Sequence, residues 1–498
     1  MDDLRKVLLV DLGARRSWIE HVDASGSFGL GGKVLGVRLL ERFLDPGAAP
    51  FSAANVVAIL PSRLSAYGMS GSNRFGAFTR SPLTGLWLES YAGGTFARTF
   101  TETGWDALVI VGASSNPVHL HVDQEGAHFR PADELWGKDT FAVEQRLLSE
   151  LKPRSAVLCI GVAGENLVPV ANVMHQQAHT LGRAGLGAVL GSKKLKAVSV
   201  TSTGPLRPAL SERFVQVRNE VAKLAVDSPT ASAYREFGTP VMVWICNEAG
   251  TFPTDFFSRG VAPHRRTLEA QQWHEWAVVE HGTCPPCPLR CRKSLTLTTG
   301  PQAGRRLHGP EYETIYAFGG SCMVEHARDV AVLSELCNRM GLDTISTGNL
   351  VAAAIKAKEL GKLAEGPAAG DVEGIAQLVE AIATRSGSLG DLLSRGLDEA
   401  LAELGMQEWS ITSKRLDPAG YEPRRLKGMA LSYAVSVRGA CHLRATFYKA
   451  ELAGLLDGLD DEAYVGTYID WEDRMLIQDG LTLCRFYRAT AISCLGSD

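Results

Sequence analysis

Residues 284–291 have the sequence Cys-Pro-Pro-Cys-Pro-Leu-Arg-Cys, which places three of the chain's ten cysteines in one short loop. Three thiolates with C-x2-C-x3-C spacing can hold three corners of an iron–sulfur cluster, and the fourth ligand then arrives from elsewhere in the chain. The prolines stiffen the loop, which favours preorganised ligands. A zinc ion bound by four thiolates has similar local geometry, and a loop without metal is the third possibility. The spacing alone therefore predicts a metal site and favours an iron–sulfur cluster over zinc.

The spacing does not identify the fourth ligand of this site. The candidates are five distant cysteines: Cys322, Cys337, Cys441, Cys484 and Cys494. Single cysteines scattered through apolar stretches differ from the dense cysteines of a small secreted disulfide scaffold, so we predict a reducing compartment. The N-terminus runs directly into a strand-like segment without the pattern of a secretory signal, which predicts a cytoplasmic protein.

Length and charge exclude several classes of protein. The chain has 498 residues, a net charge of −4, 45% hydrophobic residues and 21% charged residues. A nearly neutral chain argues against nucleic acid as a partner, because nucleic-acid binding rests largely on neutralising phosphates. No apolar run approaches the roughly 18 residues of a membrane helix, so we expect no membrane partner. The composition is that of a globular protein rather than a disordered one.

The pattern of apolar residues changes along the chain. Up to about residue 205, short β-branched segments bounded by Gly, Pro, Asp or Ser predict strands. From a helix N-cap at Ser211 onward the period is helical, with further helices predicted at 325–340, 348–361, 372–386 and 389–404. We therefore predict an α+β multidomain protein with a β-rich N-terminal domain at 1–208, a helical domain at 209–410 that carries the cysteine loop, and a C-terminal helical domain at 411–498.

A second run, residues 182–196, is rich in glycine and basic residues. Its first half contains Gly182, Arg183, Gly185 and Gly187. Glycines let backbone N–H groups approach a phosphate, and basic side chains neutralise it. The run fits neither common nucleotide-binding motif, and close packing of a turn onto a sheet explains it equally well. Residues 74–85 and 91–96 are weaker candidates of the same kind, for which ordinary β-turns are the favoured interpretation.

Two residues are candidates for acid–base chemistry. Glu313 follows the turn at Gly309–Glu311, and a carboxylate beside a metal can transfer protons. Capping of the next helix by Glu311 or Glu313 is the commoner fate of such residues. His442 lies in the sequence Arg438-Gly-Ala-Cys-His-Leu-Arg444, and a single histidine is more often structural than catalytic.

Taken together, these stretches resemble the aldehyde:ferredoxin oxidoreductase family of tungsten or molybdenum bis-pterin enzymes. The resemblance follows the order and spacing of several motifs over nearly the whole chain: 81–85, 160–167, 182–196, 284–291, 309–313, 341–346 and 479–484. It implies an N-terminal domain whose two β-sheets form a base under two pterins, with helical domains enclosing the metal. It also implies that Cys484 is the fourth ligand of a [4Fe–4S] cluster on Cys284, Cys287 and Cys291.

The resemblance assigns further residues to cofactor binding. A group of side chains and backbone positions would hold the pterins and their phosphates, with a bridging Mg²⁺: Arg74, Gly93, Gly94, Gly182, Arg183, Gly185, Gly187, Asn338, Leu342, Arg444, Asp479 and Leu483. Glu313 and His442 would lie near the metal, where they would move protons and orient water or the aldehyde carbonyl.

The implied reaction is oxidation of a small aldehyde and water to a carboxylic acid, with electrons passed to ferredoxin or another electron-transfer protein. Two alternatives stay open: a related reductase of a carbonyl compound or an aromatic thioester, and a non-catalytic iron–sulfur relative. The oligomeric state is open between a single chain, a homo-oligomer and a hetero-oligomer.

The chain departs from the family pattern at several positions. Asn338 stands where an aspartate is usual, Thr482 replaces a glycine, and Arg444 replaces a lysine. If position 482 requires positive φ, threonine is costly there. Residues 332–335 lack the E-x-x-H pattern of an intersubunit iron site, so we expect no such iron. The C-terminal domain is expected to be shorter than in the family. Cys322 is a candidate thiolate ligand of the metal, although a buried apolar cysteine is the commoner case.

Overall fold

The computed structural model describes residues 4–26, 29, 31–204, 210–300 and 302–488. The predicted domain boundary at 208/209 and Cys494 lie outside these residues. The predicted strand-rich first part is confirmed, since twelve strands precede residue 202: β1 Leu4–Asp11, β2 Arg16–Asp23, β3 Val57–Pro61, β4 Phe75–Arg80, β5 Trp87–Ala92, β6 Ala107–Val111, β7 Val118–Val122, β8 Ala127–Pro131, β9 Ser155–Cys159, β10 Val173–His175, β11 His179–Leu181 and β12 Leu195–Thr201.

These strands form two mixed six-stranded sheets, in the orders β2-β1-β6-β3-β4-β5 and β11-β10-β9-β12-β7-β8. The pairs β1–β6 and β7–β12 are parallel, and the remaining neighbours are antiparallel. Strand β1 is apolar on both faces because both faces are covered. Leu8 and Val10 join the central core with the second sheet, whereas Val7 and Leu9 pack against the helix at 32–43. Side chains of a strand alternate between its two faces, so one apolar run serves two cores.

The helices follow mainly after residue 211. The α-helices are α1 Gly32–Phe43, α2 Phe96–Thr101, α3 Thr140–Glu150, α4 Val162–Glu165, α5 Leu186–Ser192, α6 Glu212–Asp227, α7 Pro229–Phe237, α8 Val241–Glu248, α9 Arg265–Leu268, α10 Tyr312–Thr314, α11 Ala327–Met340, α12 Thr344–Glu359, α13 Val372–Thr384, α14 Gly387–Leu393, α15 Leu397–Glu403, α16 Lys427–Val435, α17 Tyr448–Leu452 and α18 Asp461–Gly480. A π-helical segment spans Ile315–Ser321, and short 3-10 helices span Arg63–Tyr67, Asp133–Leu135, Ala270–Glu275, Gln407–Trp409 and Arg485–Tyr487.

The predicted helices are recovered with local corrections. Ser211 caps α6, because its hydroxyl accepts the Phe214 N–H at 3.2 Å. The single helix predicted at 389–404 is wrong: α14 and α15 are separate, and Gly396 between them has φ +105. The helix predicted at 348–361 begins earlier, at Thr344, where the side chain of Asp343 caps α12. No helix within the described part of the chain combines the length and apolarity needed to cross a bilayer.

A third sheet lies in the region predicted to be mainly helical. It has three antiparallel strands, β13 Ala277–Gly282, β14 Arg292–Leu297 and β15 Arg306–His308. The loop between β13 and β14 carries Cys284, Cys287 and Cys291. The hairpin therefore holds both ends of the cysteine loop in fixed positions.

The glycines of the 182–196 run are sites of close backbone packing. A Cβ at Gly191 would lie 1.9 Å from the carbonyl oxygen of Gly164 in α4, and one at Gly187 would lie 2.3 Å from the Asn172 carbonyl oxygen. Gly185 has φ +89, and a Cβ there would lie 2.3 Å from the Pro169 carbonyl oxygen. These contacts support the packing interpretation of the run, with α5 packed on α4 as well as beside the sheet.

Substituting Gly191 with alanine should destabilise the fold by about 3 kcal/mol, because backbone atoms of α4 must move to admit a methyl group. The matched control is Gly466→Ala in α18, where a Cβ meets no atom within 4 Å. That change should leave stability unchanged or raise it by roughly 0.5–1 kcal/mol, since alanine loses less backbone entropy in a helix. Thermal unfolding of both variants measures the difference. Equal melting temperatures would contradict the close approach of α4 and α5.

Candidate functional site

The structure brings Cys484 to the cysteine loop. Cys484 follows α18, its backbone N–H donates to the Gly71 carbonyl at 2.9 Å, and its carbonyl accepts from Gln478 Nε2 at 2.8 Å. Cys287 and Cys484 pack against the same small apolar cluster as Leu289. A turn at Cys284–Cys287, closed by a 2.7 Å backbone hydrogen bond, folds the loop towards that cluster.

The four thiols influence one another electrostatically. Burial raises the pKa of Cys284, Cys287 and Cys291, and the nearby Cys484 raises each of them further. For Cys287 the pKa rises to about 11. Thiols in this environment stay protonated unless a cation compensates the thiolate charge, and metal binding supplies that compensation by releasing the protons.

A single metal ion requires ligands that converge on one point. Among the described residues, no group of three or more His, Cys, Asp or Glu side chains meets that geometry. The effect of Cys484 on the pKa of Cys284, Cys287 and Cys291 shows that the four thiols are neighbours. A cluster of several irons, each bound by one cysteine, uses ligands that surround a volume rather than a point.

Backbone groups approach the loop closely at the end of β5. The Gly94 N–H donates to Cys284 Sγ at 3.3 Å. A Cβ at Gly93 would lie 3.1 Å from Cys284 Sγ, and one at Gly94, where φ is +97, would lie 2.6 Å from the His175 ring. Both predicted glycines are thus placed where a side chain would collide with the cysteine or with its support. The Arg74 guanidinium donates to the Tyr91 carbonyl at 3.3 Å, on the same side of the first sheet.

A buried cluster of charges lies between β5 and the end of α18. Glu89, which is fully buried, lies 2.7 Å from Arg444 Nη1 and 3.4 Å from Lys33 Nζ. Asp479 lies 2.7 Å from Arg444 Nη2 and 2.7 Å from Arg485 Nη2. Burial alone would raise the pKa of Glu89, but Arg444, Lys33 and a third arginine, Arg438, outweigh it and lower the pKa to about 2. The cluster thus joins the first sheet to the C-terminal segment.

The charges of this cluster do not balance. Four cationic side chains, Lys33, Arg438, Arg444 and Arg485, face the two carboxylates Glu89 and Asp479. The buried Nε atoms of Arg438 and Arg444 have no hydrogen-bond partner. Buried charge is costly unless it is paired. The surplus therefore fits an anionic ligand.

The pKa of the buried thiol of Cys441 shows the effect of the same arginines. Burial would raise the pKa of this thiol, but Arg438, Arg444 and Arg183 outweigh burial and lower it. Arg183 itself is held by the protein: it donates to the carbonyls of Ala440 and Asp417 at 3.1 and 2.6 Å. It also lies within 3.4 Å of the Asp343 carboxylate. Arg183 also lies 3.3 Å from the Asp417 carboxylate, so it is paired with two carboxylates while it contributes to the positive field at Cys441.

Glu313 and His442 form a buried pair. His442 Nε2 lies 3.6 Å from Glu313 Oε1, and Glu313 Oε2 accepts the Gly420 N–H at 2.8 Å. Burial raises the pKa of Glu313 to about 7, and burial together with Arg183 lowers the pKa of His442 to about 3. Glu313 Oε1 and His442 Nδ1 are buried without a hydrogen-bond partner. Glu313 can therefore accept or donate a proton at neutral pH, while His442 stays neutral.

Tyrosines surround this pair. Tyr421 is a further hydrogen-bond partner of Glu313, and its ring lies 5.9 Å from the His442 ring and 3.7 Å from the Tyr448 ring. Tyr312 lies 5.3 Å from Tyr421. These rings form an aromatic wall on one side of the acid–base pair.

Three further predicted residues are buried near the ends of α11 and α18. Asn338 is buried at the end of α11, and its amide donates to the Gln177 carbonyl at 3.2 Å. Leu342 is fully buried, and its carbonyl accepts from Asn172 Nδ2 at 2.7 Å. Leu483 packs in the apolar cluster beside Cys484. Asn338 lies in the last turn of α11 and Leu342 just after this helix, whereas Leu483 follows α18 on the side of the cysteine loop.

Cys322 is less well placed for metal binding. It is fully buried, and its thiol donates to the Gly348 carbonyl at 3.2 Å. Burial and Cys337 raise its pKa well above the usual value. This placement favours the interpretation as a buried core cysteine.

Several residues of the site were not predicted from the sequence. The segments that contain Glu89, Lys33 and Tyr421 have no recognisable motif. The only sequence signal for Glu89 is that it is the single charged residue in the strand Trp87–Ala92. Arg438 was detectable, since it opens the same seven-residue stretch that contains His442 and Arg444.

Comparison with protein-family models gives two matches that together span most of the chain. The model described as "Aldehyde ferredoxin oxidoreductase, N-terminal domain" matches residues 7–202, and "Aldehyde ferredoxin oxidoreductase, domains 2 & 3" matches residues 216–495.

Similar proteins agree with these matches. The chain is 33% identical over 470 residues to the tungsten-containing aldehyde ferredoxin oxidoreductase of Thermococcus kodakarensis, covering 92% of this chain and 77% of that protein. It is 31% identical over 470 residues to the protein of the same name from Pyrococcus furiosus, with the same coverage. The "Aliphatic sulfonate oxidoreductase, WOR-like subunit" of Pyrococcus furiosus is 25% identical over 514 residues, covering 93% of this chain and 79% of that protein.

A solved structure has the same fold. The active site complex BamBC of benzoyl coenzyme A reductase, in complex with 1,5-dienoyl-CoA, matches with a TM-score of 0.80 at 22% identity. The match covers 97% of this chain and 81% of that chain.

Proposed function

The chain belongs to the aldehyde ferredoxin oxidoreductase family, and we propose that it oxidises an aldehyde and water to a carboxylic acid at a tungsten or molybdenum bis-pterin centre. Electrons then pass through a [4Fe–4S] cluster to ferredoxin or a similar one-electron carrier. The single observation that carries the proposal is the approach of Cys484 to the loop of Cys284, Cys287 and Cys291, about two hundred residues away in sequence.

The donor set fits an iron–sulfur cluster. Four thiols lie together, and the nine cysteines of the described chain form no disulfide. Free thiols agree with a reducing compartment, so we propose a cytoplasmic location. The Gly94 N–H beside Cys284 stabilises a sulfur that carries negative charge.

The buried basic cluster fits the pterin cofactors, which carry phosphates. The unpartnered Nε atoms of Arg438 and Arg444 would donate to anionic or carbonyl groups of the ligand. We propose that Asp479 and Arg444 would hold one pterin, that Asn338 and Leu342 would hold the other, and that Arg74 would bind a pterin phosphate. The remaining predicted contacts would be made by Gly93, Gly94, Gly182, Arg183, Gly185, Gly187 and Leu483, with Mg²⁺ as a proposed bridge between phosphates.

The turn that holds Asp479 and Cys484 is built under strain. Thr482 has φ +51, a conformation that a β-branched residue rarely adopts. A Cβ at Gly32 would lie 2.5 Å from the carbonyl oxygens of Asp479 and Gly480, so α1 packs directly against this turn. Strain of this kind persists where surrounding packing overdetermines the backbone, which is common at functional sites.

When bound, the metal–pterin centre supplies the two-electron redox chemistry. The chain's own residues handle the substrate and the protons. Oxidation of RCHO with H₂O to RCOOH breaks the aldehyde C–H bond, forms one C–O bond, and releases two electrons and two protons. Glu313, with a pKa of about 7, accepts a proton from the attacking water. His442 remains neutral and can donate a hydrogen bond to the carbonyl oxygen, while the tyrosine wall excludes bulk water.

The direct test is elemental analysis and assay of anaerobically purified protein. We expect about four Fe and about one W or Mo per chain, little zinc, and reduction of a viologen dye that depends on an added aldehyde. Four Fe without W or Mo and without aldehyde-dependent activity would favour the non-catalytic alternative. Zinc in place of iron would contradict the cluster, and reduction of a thioester without aldehyde oxidation would favour the reductase alternative.

A further inference from the structure

One hydroxyl group points at the sulfur of a cysteine of the loop. Tyr487 is fully buried, and its hydroxyl oxygen lies 3.2 Å from Cys287 Sγ. That distance is within the range of a hydrogen bond to sulfur. The contact joins the last described segment of the chain to the hairpin loop two hundred residues earlier.

The backbone fixes this tyrosine in place. The Tyr487 N–H donates to the Cys484 carbonyl at 2.9 Å, and the Cys484 N–H donates to the Gly71 carbonyl at 2.9 Å. The ring lies flat against Gly71, where a Cβ would be only 2.6 Å from Tyr487 Cδ2. Gly71 has φ +82, so the position suits glycine for two reasons. The direction of the hydroxyl is therefore set by the same turn that presents Cys484.

The direction of the hydrogen bond follows from the chemistry of the two groups. A cysteine that binds iron is a thiolate and cannot donate a proton. A phenol keeps its proton at neutral pH, so the Tyr487 hydroxyl donates and Cys287 Sγ accepts. Ser70 is a further side-chain hydrogen-bond partner of Tyr487, and it lowers the pKa of the phenol as a donor to the phenol oxygen would. A donor to the phenol oxygen polarises the O–H bond and strengthens the bond to sulfur.

We propose that Tyr487 is a positioning residue that raises the reduction potential of the cluster through Cys287, an inference that rests on the proposed function of the four cysteines. The reduced cluster carries one more negative charge than the oxidised cluster. A hydrogen-bond donor to a ligand sulfur stabilises the more negative state, and hydrogen bonds to the sulfurs are among the factors that set these potentials. The electron comes from aldehyde oxidation and leaves to the one-electron carrier, so the cluster returns to its oxidised state in each transfer.

The two donors to the ligand sulfurs differ in kind. The Gly94 N–H that bonds to Cys284 belongs to the backbone and is present whatever side chain the position carries. The Tyr487 hydroxyl belongs to a side chain and is removed by a one-atom change to phenylalanine. The ring would still pack on Gly71, so the shape of the pocket around Cys287 would be kept.

The test is an anaerobic redox titration of the holoprotein, followed by the EPR signal of the reduced cluster, in the unmodified protein and in Tyr487→Phe. At one applied potential we expect the ratio of reduced to oxidised cluster to fall by at least about threefold in the variant. The matched control is Tyr234→Phe, which removes another buried hydroxyl near this segment. Its ring stacks on Phe486 at 4.2 Å, and its hydroxyl bonds to Lys449 and Arg488 rather than to sulfur. That variant should keep the unmodified potential.

Each outcome separates this inference from the proposed function. A normal iron content with an unchanged potential in Tyr487→Phe would overturn the inference and leave the cluster intact. The lack of any iron–sulfur signal in the unmodified protein would instead overturn the proposed function. If Tyr487→Phe does not assemble a cluster, Ser70→Ala keeps the ring and weakens the donor. The potential must then fall in Ser70→Ala, and an unchanged potential there would also overturn the inference.

Discussion

Replacing Cys484 with alanine is expected to lower the iron content from about four atoms per chain to well below four. The absorption and EPR signals of a [4Fe–4S] cluster should be lost with it. Aldehyde-dependent dye reduction should fall by at least about a hundredfold, because loss of a ligand should exceed the 10–100-fold typical of losing a partner of a ligand. The measurement is iron analysis with the assay on anaerobically purified variant.

Cys484→Ala removes the thiol without removing the backbone contacts that hold the turn. The turn at Cys484 is held by its own backbone, through the bond to Gly71 and the bond from Gln478. Alanine keeps both bonds and removes the sulfur alone. A loss of iron in the variant would therefore report ligation rather than collapse of the turn.

Cys159→Ala is the control for removing a buried thiol. Cys159 lies in β9, its thiol donates to the Thr140 carbonyl at 3.4 Å, and it packs with α3. This variant should keep its iron and lose about 1 kcal/mol of stability at most. Full iron content in Cys484→Ala would show that another residue is the fourth ligand.

Most of the fold could be predicted from local patterns. The strands of both large sheets are short β-branched segments bounded by turn residues, and such segments have few other stable structures. The small sheet at 277–308 was missed because β13 and β15 are half exposed, with only three consecutive apolar residues in β13 and one apolar residue in β15. The break between α14 and α15 was missed because the apolar period continues across Gly396. Periodicity therefore predicts which face is buried better than it predicts where one helix ends.

Some residues of the candidate site also have a local sequence signal, and others do not. The cysteine loop was predicted from its spacing, whereas Glu313 and His442 were weak candidates that only the family resemblance placed near the metal. Glu89 could not be found, because its role depends on Lys33 and Arg444, which are distant in sequence. Thr482 has the positive φ at which threonine was expected to be costly, and α1 packs against the same turn at Gly32. Long-range charge pairing leaves little local signal in a single sequence.

Replacing Glu313 with glutamine is expected to lower kcat for aldehyde oxidation by about 10²–10⁴, the usual contribution of a general base. Glutamine preserves the size of the side chain and can still accept the Gly420 N–H. It cannot accept a proton from water. Tungsten and iron contents should remain those of the unmodified protein, and steady-state kinetics with a saturating aldehyde measures the change.

The pH dependence of the rate of aldehyde oxidation is a second test of Glu313 as the base. The pKa of Glu313 is raised by burial from 4.5 to about 7, so below pH 7 the carboxyl is protonated and cannot act as a base. The rate should rise with pH through about 7 and then level off, and Glu313→Gln should lose this dependence. Glu144→Gln is the matched control, because burial also raises the pKa of Glu144 to about 7. The Glu144 carboxylate, in α3, accepts the Gln176 N–H at 2.6 Å and lies 3.9 Å from His175 Nδ1, whereas Glu313 is the carboxylate beside His442. The Glu144→Gln variant should therefore keep the rising limb.

The stability of the fold should fall as pH rises, whereas the rate of aldehyde oxidation should increase. Measuring both quantities separates a catalytic role of Glu313 from a structural one. A carboxyl whose pKa is raised in the folded state stabilises the fold fully below the unfolded pKa of 4.5, and this contribution is lost as pH rises through about 7. The unmodified protein thus gains activity over the same range in which Glu313 lowers its stability. If Glu313 were only structural, Glu313→Gln would flatten the stability curve and leave the rate profile unchanged. Loss of the rising rate limb together with the flattened stability curve would instead establish that the buried carboxylate is the base.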